Sequence, residues 1–108
     1  MATLKDLVPP LELCREIPEG EFAESALVQA KTWADTEPFV APREAAIENN
    51  WEILAPAPTL AEIMEKLYPG ELKRHDEWII QSNGVRKIGA KPATVALMLW
   101  FELENKNA

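Results

Sequence analysis

The chain is short of the residues that catalysis and metal binding draw on. Its 108 residues include one cysteine, one histidine and four glycines. A lone cysteine, Cys14, excludes an internal disulfide and any cysteine-only metal site. A lone histidine, His75, cannot build a histidine-based metal site unless several carboxylates converge on it. The glycines stand at 20, 70, 84 and 89. None is spaced as G-x-G-x-x-G or G-x-x-x-x-G-K, so no phosphate-cradling loop is written here. No Gly-x-Ser-x-Gly elbow occurs. No apolar run approaches the roughly 20 residues needed to span a bilayer, and no basic-then-apolar leader opens the chain. Both point to the cytoplasm. No cofactor or metal is expected.

Positive charge is scarce too. Eleven Lys and Arg stand against eighteen Asp and Glu, for a formal charge of -7. Residues 1–69 carry -8, residues 70–91 carry +2 and the remainder -1. An acidic chain without a basic stripe argues against direct nucleic-acid binding, which needs cations at phosphates. The small excess at Lys73, Arg74, Arg86, Lys87 and Lys91 reads first as a solvated face. The acidic first part raises a different idea, an inhibitor that mimics nucleic acid. That needs its carboxylates on one face at phosphate-like spacing.

What remains is ordinary globular material. The hydrophobic fraction is 47%, enough for one domain over 1–108, with residues 1–10 a lightly ordered lead-in. The clearest element is LAPAPTLAEIMEKLYPG. Thr59 and Glu62 form a capping box, and Pro56 and Pro58 hold the preceding chain extended. Leu60, Ile63, Met64 and Leu67 recur at i, i+3, i+4, i+7, a single apolar stripe. The pattern predicts a helix over about 60–68, stopped by Pro69 and released by a reversal at Gly70. One stripe suits packing against a core better than recognition.

The second clear signal is EWIIQSNGVRKIGA. Asn83-Gly84 between two β-rich runs predicts a hairpin with a type I′ turn. A two-residue loop sets Ser82 opposite Val85, Gln81 opposite Arg86, Ile80 opposite Lys87, Ile79 opposite Ile88 and Trp78 opposite Gly89. One face carries Ile79 and Ile88; the other carries Trp78, Ile80 and Val85. Both faces are partly apolar, so either the sheet is covered on both sides or one side meets a partner.

Pro92 opens a last helix, 92–105. Val95 to Phe101 are seven apolar residues in a row, and their alanine, methionine and leucine content favours helix. Ala93, Ala96, Leu97 and Trp100 share one side, while Val95 and Met98 fall on the opposite one. A helix apolar all round is buried on more than one side, within the monomer or across a dimer.

Upstream, Leu11 to Ile17 fits a short helix with Pro10 at its first position, ended by Pro18-Glu19-Gly20. Glu21 to Asp35 keeps a helical period in Phe22, Ala26, Ala30 and Trp33, yet Leu27 to Trp33 also reads as a strand. Phe39-Val40 is extended, Arg43 to Glu48 forms a turn or two of helix broken by Asn49-Asn50, and Trp51 to Leu54 reads as a strand with Trp51 and Ile53 on one face. The four tryptophans sit in predicted elements, so most belong to the core. Cys14 reads as a small buried apolar residue. His75-Asp76-Glu77 is the one cluster resembling catalytic equipment, and a surface role is the ordinary reading of such a triplet.

The order of LELCREIPEGEF, SALVQAKTW, APAPTLAEIMEKL and ALMLWFELENK resembles a group of uncharacterised small proteins carried by bacterial phages and prophages. They share an APT-x-x-E-x-x-x-L helix and a closing M-L-x-x-L-x-E-N-like helix. The likeness runs over residues 11–107. Here Ala57-Pro58-Thr59 with Glu62 and Leu67, and Met98-Leu99-Trp100 with Glu104-Asn105, carry it. The chain departs in an extra proline at 56 and a second segment poorer in aromatics. The resemblance implies an α+β fold, strands at 26–33 and a mobile-element origin. It implies no activity.

The expectation is therefore an α+β domain: a small antiparallel sheet of three or four strands packed with two or three helices. The leading functional reading is an accessory protein that acts by protein contact, with an unknown protein or with itself as a homodimer. Trp78 and Ile80 on the hairpin, and Val95 and Met98 on the last helix, are the candidate contact residues. An enzyme using His75 is the remaining alternative.

Overall fold

In a computed structural model, residues 4–34 and 37–107 are described, the last two without their side chains. The chain is α+β and divides into two compact units, Met1–Thr59 and Leu60–Ala108. Each has its own three-stranded antiparallel sheet.

The first unit runs through a 3-10 helix (Leu4–Leu7), α1 (Leu11–Cys14), β1 (Leu27–Lys31), β2 (Phe39–Pro42), α2 (Arg43–Glu48) and β3 (Glu52–Pro56). Pro10 stands one place earlier than expected. Its extended backbone, ψ 157°, makes it the cap of α1, and its carbonyl accepts from the N–H groups of Leu13 and Cys14. Beyond Cys14 the helix relaxes into single turns up to Gly20, where φ is +92°.

The ambiguous segment is a strand, and β1 lies in the middle of its sheet, in the order β2-β1-β3. Both of its faces are covered. Val28 and Ala30 pack with Ala46 of α2, Phe39 and Trp51. Leu27 packs with Val8, Ala57 and Val40. A strand buried on both faces reads as a continuous apolar run and loses the two-residue alternation that would identify it. The Phe39 and Trp51 rings meet edge to face, 5.1 Å apart. A bulge between β1 and β3 at Gln29/Ala30 shifts the register.

Trp33 is the exception among the tryptophans, most of which are expected in the core. It lies past the end of β1 and is 95% exposed. Trp51 and Trp78 are half-buried and Trp100 is buried.

The second unit comprises α3 (Leu60–Lys66), β4 (Gly70–Arg74), β5 (Trp78–Ser82), β6 (Val85–Gly89) and α4 (Pro92–Asn107). The hairpin has the predicted pairing throughout, from Ser82↔Val85 to Trp78↔Gly89. Asn83 and Gly84 take φ +50° and +81°, as a type I′ turn requires. Strand β4 adds to the far side of β5, with Leu72 opposite Ile80 and Lys73 opposite Ile79. Helix α4 packs on β5, β6 and α3. Ile63, Ile80, Leu97 and Leu99 are fully enclosed. Lys87 turns toward α4 and meets the Glu102 carboxylate at 2.8 Å.

Two glycines of this unit are demanded by proximity. Gly70 is not left-handed, so the expected reversal does not occur there. Instead a Cβ on Gly70 would lie 2.9 Å from the Leu67 carbonyl oxygen. A Cβ on Gly89 would lie 2.6 Å from Cγ2 of buried Val95. Ser82 is buried, and its hydroxyl sits 2.8 Å from the Leu67 carbonyl and 3.2 Å from that of Pro69, donating its one proton to this pair of acceptors.

Gly89→Ala pushes β6 away from α4. It is expected to cost about 1–3 kcal/mol, the usual range for overpacking. A lower urea midpoint at unchanged slope is the expected readout.

Candidate interaction surface

Strand phase decides which hairpin residues are available. Residues opposite one another in an antiparallel pair share a face. Leu72, Ile80 and Lys87 therefore form one row, with Arg74, Trp78 and Gly89 beside them. This is the face under α4. Lys73, Ile79 and Ile88 form a row on the opposite face, next to Glu71, Gln81 and Arg86.

The four predicted contact residues separate accordingly. Ile80 is 0% exposed and Val95 4%, so neither is a surface residue. Ile80 is enclosed because α4 lies over its face of the sheet. Val95 is enclosed because α4 meets β6 at Gly89, so the side of the helix left open between the monomer's interior and a dimer contact is covered within the second unit. Trp78 is half-buried, with the Arg74 guanidinium 5.2 Å above its ring. Met98 is 46% exposed and stays available.

The residue that sequence reasoning did not select is Ile88. It is 54% exposed beside half-buried Ile79, and Glu71, Lys73, Gln81 and Arg86 around them are exposed. The signal was present in the Ile79–Ile88 pairing. What was missing was the side on which α4 would lie.

His75, Asp76 and Glu77 are all exposed in the β4–β5 turn, which closes with the His75 N–H donating to the Glu77 carbonyl at 3.1 Å. They line neither of two clefts in the first unit. One, about 300 Å³, is bordered by Pro9, Pro10, Gln29, Phe39 and Val40. The other, about 590 Å³ and open, is bordered by Ile17, Glu19, Arg43 and Ile53. Gln29 and Arg43 at these clefts have structural work. The Gln29 amide donates to the Pro9 carbonyl at 3.2 Å and approaches the Cys14 sulfur at 3.8 Å. Arg43 donates to the Ser25 carbonyl at 2.8 Å and to its hydroxyl at 3.2 Å.

Cys14 is buried, and its thiol donates to the Pro9 carbonyl. Burial pushes the thiol up to about 11, against a smaller opposing effect of the Gln29 amide. It is a packing residue in a protonated form. Among the described residues no three His, Cys, Asp or Glu side chains gather to hold a metal. The exposed carboxylates of the first unit are spread from Asp6 of the 3-10 helix through α1, the turns at Glu16, Glu19 and Glu24, Glu37, α2 and β3. No described helix is long and apolar enough to cross a membrane.

The chain matches no family model, no curated protein and no solved structure.

The Cys14 thiol ionises near 9.0 unfolded and near 11 folded. The unfolded chain thus releases its proton first as pH rises. The contribution to stability is complete below pH 9 and declines between pH 9 and 11 by on the order of 2 kcal/mol. Denaturation across that window is expected to show the decline, and Cys14→Ala to lack this part of it. At pH 8, thiol-specific labelling of the native chain should be slow and accelerate with denaturant.

Proposed function

We propose that the chain is a phage- or prophage-derived accessory protein, not an enzyme, that acts by protein contact. The observation that supports this reading is the uncovered face of the β4-β5-β6 sheet. Among the described residues of the second unit no helix packs on Ile88 and Ile79, while the opposite face of the same sheet is closed by α4. Enclosing a large aliphatic side chain in a complex is worth roughly 1.5–3 kcal/mol, so two adjacent isoleucines make a useful anchor. The motif resemblance alone supports the origin.

The surroundings favour one kind of partner. Lys73 and Arg86 outnumber Glu71 around the two isoleucines, and residues 70–91 carry +2 in a chain of -7. An apolar patch rimmed by carboxylates on another protein complements this face. Such rim charges steer encounter and choose partners more than they add affinity. No specific observation favours the nucleic-acid mimic or the His75 enzyme, whose residues lie dispersed or outside the clefts above.

Ile88→Glu places a carboxylate at the centre of this face. The substituted side chain is exposed, so stability should change by no more than about 0.5 kcal/mol. Affinity capture with the full chain as bait, from extracts of the producing cell, tests the proposal. A protein retained by the wild type and by the control Ile47→Glu, and lost with Ile88→Glu, is the expected result. Equal capture by all three overturns the assignment of this face.

A further inference from the structure

The second unit leaves one strand edge open, and that edge is complementary to itself. The turn after β4 fixes its phase. The His75 N–H donates to the Glu77 carbonyl, so His75 and Glu77 form a hydrogen-bonded pair of the antiparallel ladder. Such pairs alternate with non-bonded ones. Lys73 with Ile79 and Glu71 with Gln81 are therefore the bonded pairs between β4 and β5. The backbone groups of Gly70, Leu72 and Arg74 point the other way, out of the sheet. Among the described residues nothing is bonded to them from that side. From Glu71 to Arg74 the side chains are exposed as well, Leu72 at 40%.

An edge of this kind is a template for another strand. The other edges are guarded. Prolines at 42 and 56 stand in β2 and β3, where a missing N–H weakens any added ladder. Strand β6 carries Arg86 and Lys87 and has no carboxylate of its own that a second copy of the strand could set opposite them. Strand β4 reads Gly-Glu-Leu-Lys-Arg. Laid antiparallel to itself with Leu72 at the centre, it sets Glu71 opposite Lys73 twice, Gly70 opposite Arg74 twice, and Leu72 opposite Leu72.

We infer that two copies of this chain pair through β4 about a two-fold axis at Leu72, giving a continuous six-stranded sheet. The phase agrees with the sequence. Leu72 turns both backbone groups outward, so the central pair exchanges two hydrogen bonds, and Gly70 with Arg74 of the second copy does the same on either side. Glu71 and Lys73 of the second copy then form non-bonded pairs, in which side chains come closest. Their charges are already on the open face, where Lys73 Nζ lies 3.8 Å from Glu71 of its own strand with both side chains about two-thirds exposed. Gly70 leaves room opposite the bulky Arg74. The pairing is made by the backbone edge of β4 and not by Ile79 and Ile88, although Glu71 and Lys73 also border that patch, and it does not rest on the proposed function.

The test uses the full chain and exchanges charges. Sedimentation equilibrium of the wild type over a concentration series should show a monomer–dimer equilibrium that weakens with salt. Lys73→Glu and Glu71→Lys each place like charges opposite one another twice, and each should weaken self-association by about tenfold or more. Mixing the two variants should restore association as a heterodimer, which a purely structural defect in either would not do. Circular dichroism of each variant should match the wild type. A wild type that stays monomeric at every concentration overturns the inference, as does a dimer indifferent to both substitutions or singly weakened variants whose mixture does not associate. Capture of a foreign protein through Ile88 in a chain that stays monomeric would sink this inference and spare the functional one.

Discussion

The left-handed turn at Asn83-Gly84 sets the phase of the whole second unit. Side chains alternate along a strand with a period of two, so a slip by one residue exchanges the two faces of the sheet. With the turn where it is, Ile80 and Ser82 point into the space under α4 and Ile79 and Ile88 point away from it. The same phase passes to β4 through its pairing with β5 and decides which of its backbone groups face outward. A surface, an interior and a free edge are thus consequences of two residues with positive φ.

The parts of the fold legible in the sequence are those governed by local chemistry. The hairpin pairing follows from its turn, and the boundaries of α2 and α3 follow from proline, asparagine and the apolar spacing between them. The illegible parts depend on what packs from elsewhere. Strand β1 lost its alternation because α2 covers one face and the Val8–Cys14 region the other. Ile80 and Val95 looked like surplus apolar surface because nothing local says which face of a hairpin a later helix will take. The role of Gly70 is illegible for a related reason: a close approach to the Leu67 carbonyl is invisible in a linear string, whereas a turn is not.

The two units hold their polar interiors differently. In the first, the Pro9 carbonyl gathers the Gln29 amide and the Cys14 thiol, and Ser25 gathers the Arg43 guanidinium. Each joins segments far apart in sequence and satisfies groups that would otherwise be costly to enclose. The second relies on apolar packing around α4, with the buried Ser82 hydroxyl hydrogen-bonded to the Leu67 carbonyl and the Thr94 hydroxyl enclosed on α4. The prolines that interrupt two edges of the first sheet have no counterpart in β4, so the units also differ in their tolerance of added strands.

Trp33 gives the chain an uneven optical character. Its indole stands almost wholly in water, while Trp100 is enclosed and Trp51 and Trp78 are partly so. Native emission is therefore a composite, with a red component already present before any unfolding. A water-borne quencher such as iodide would extinguish that component first and unmask the bluer light of the interior.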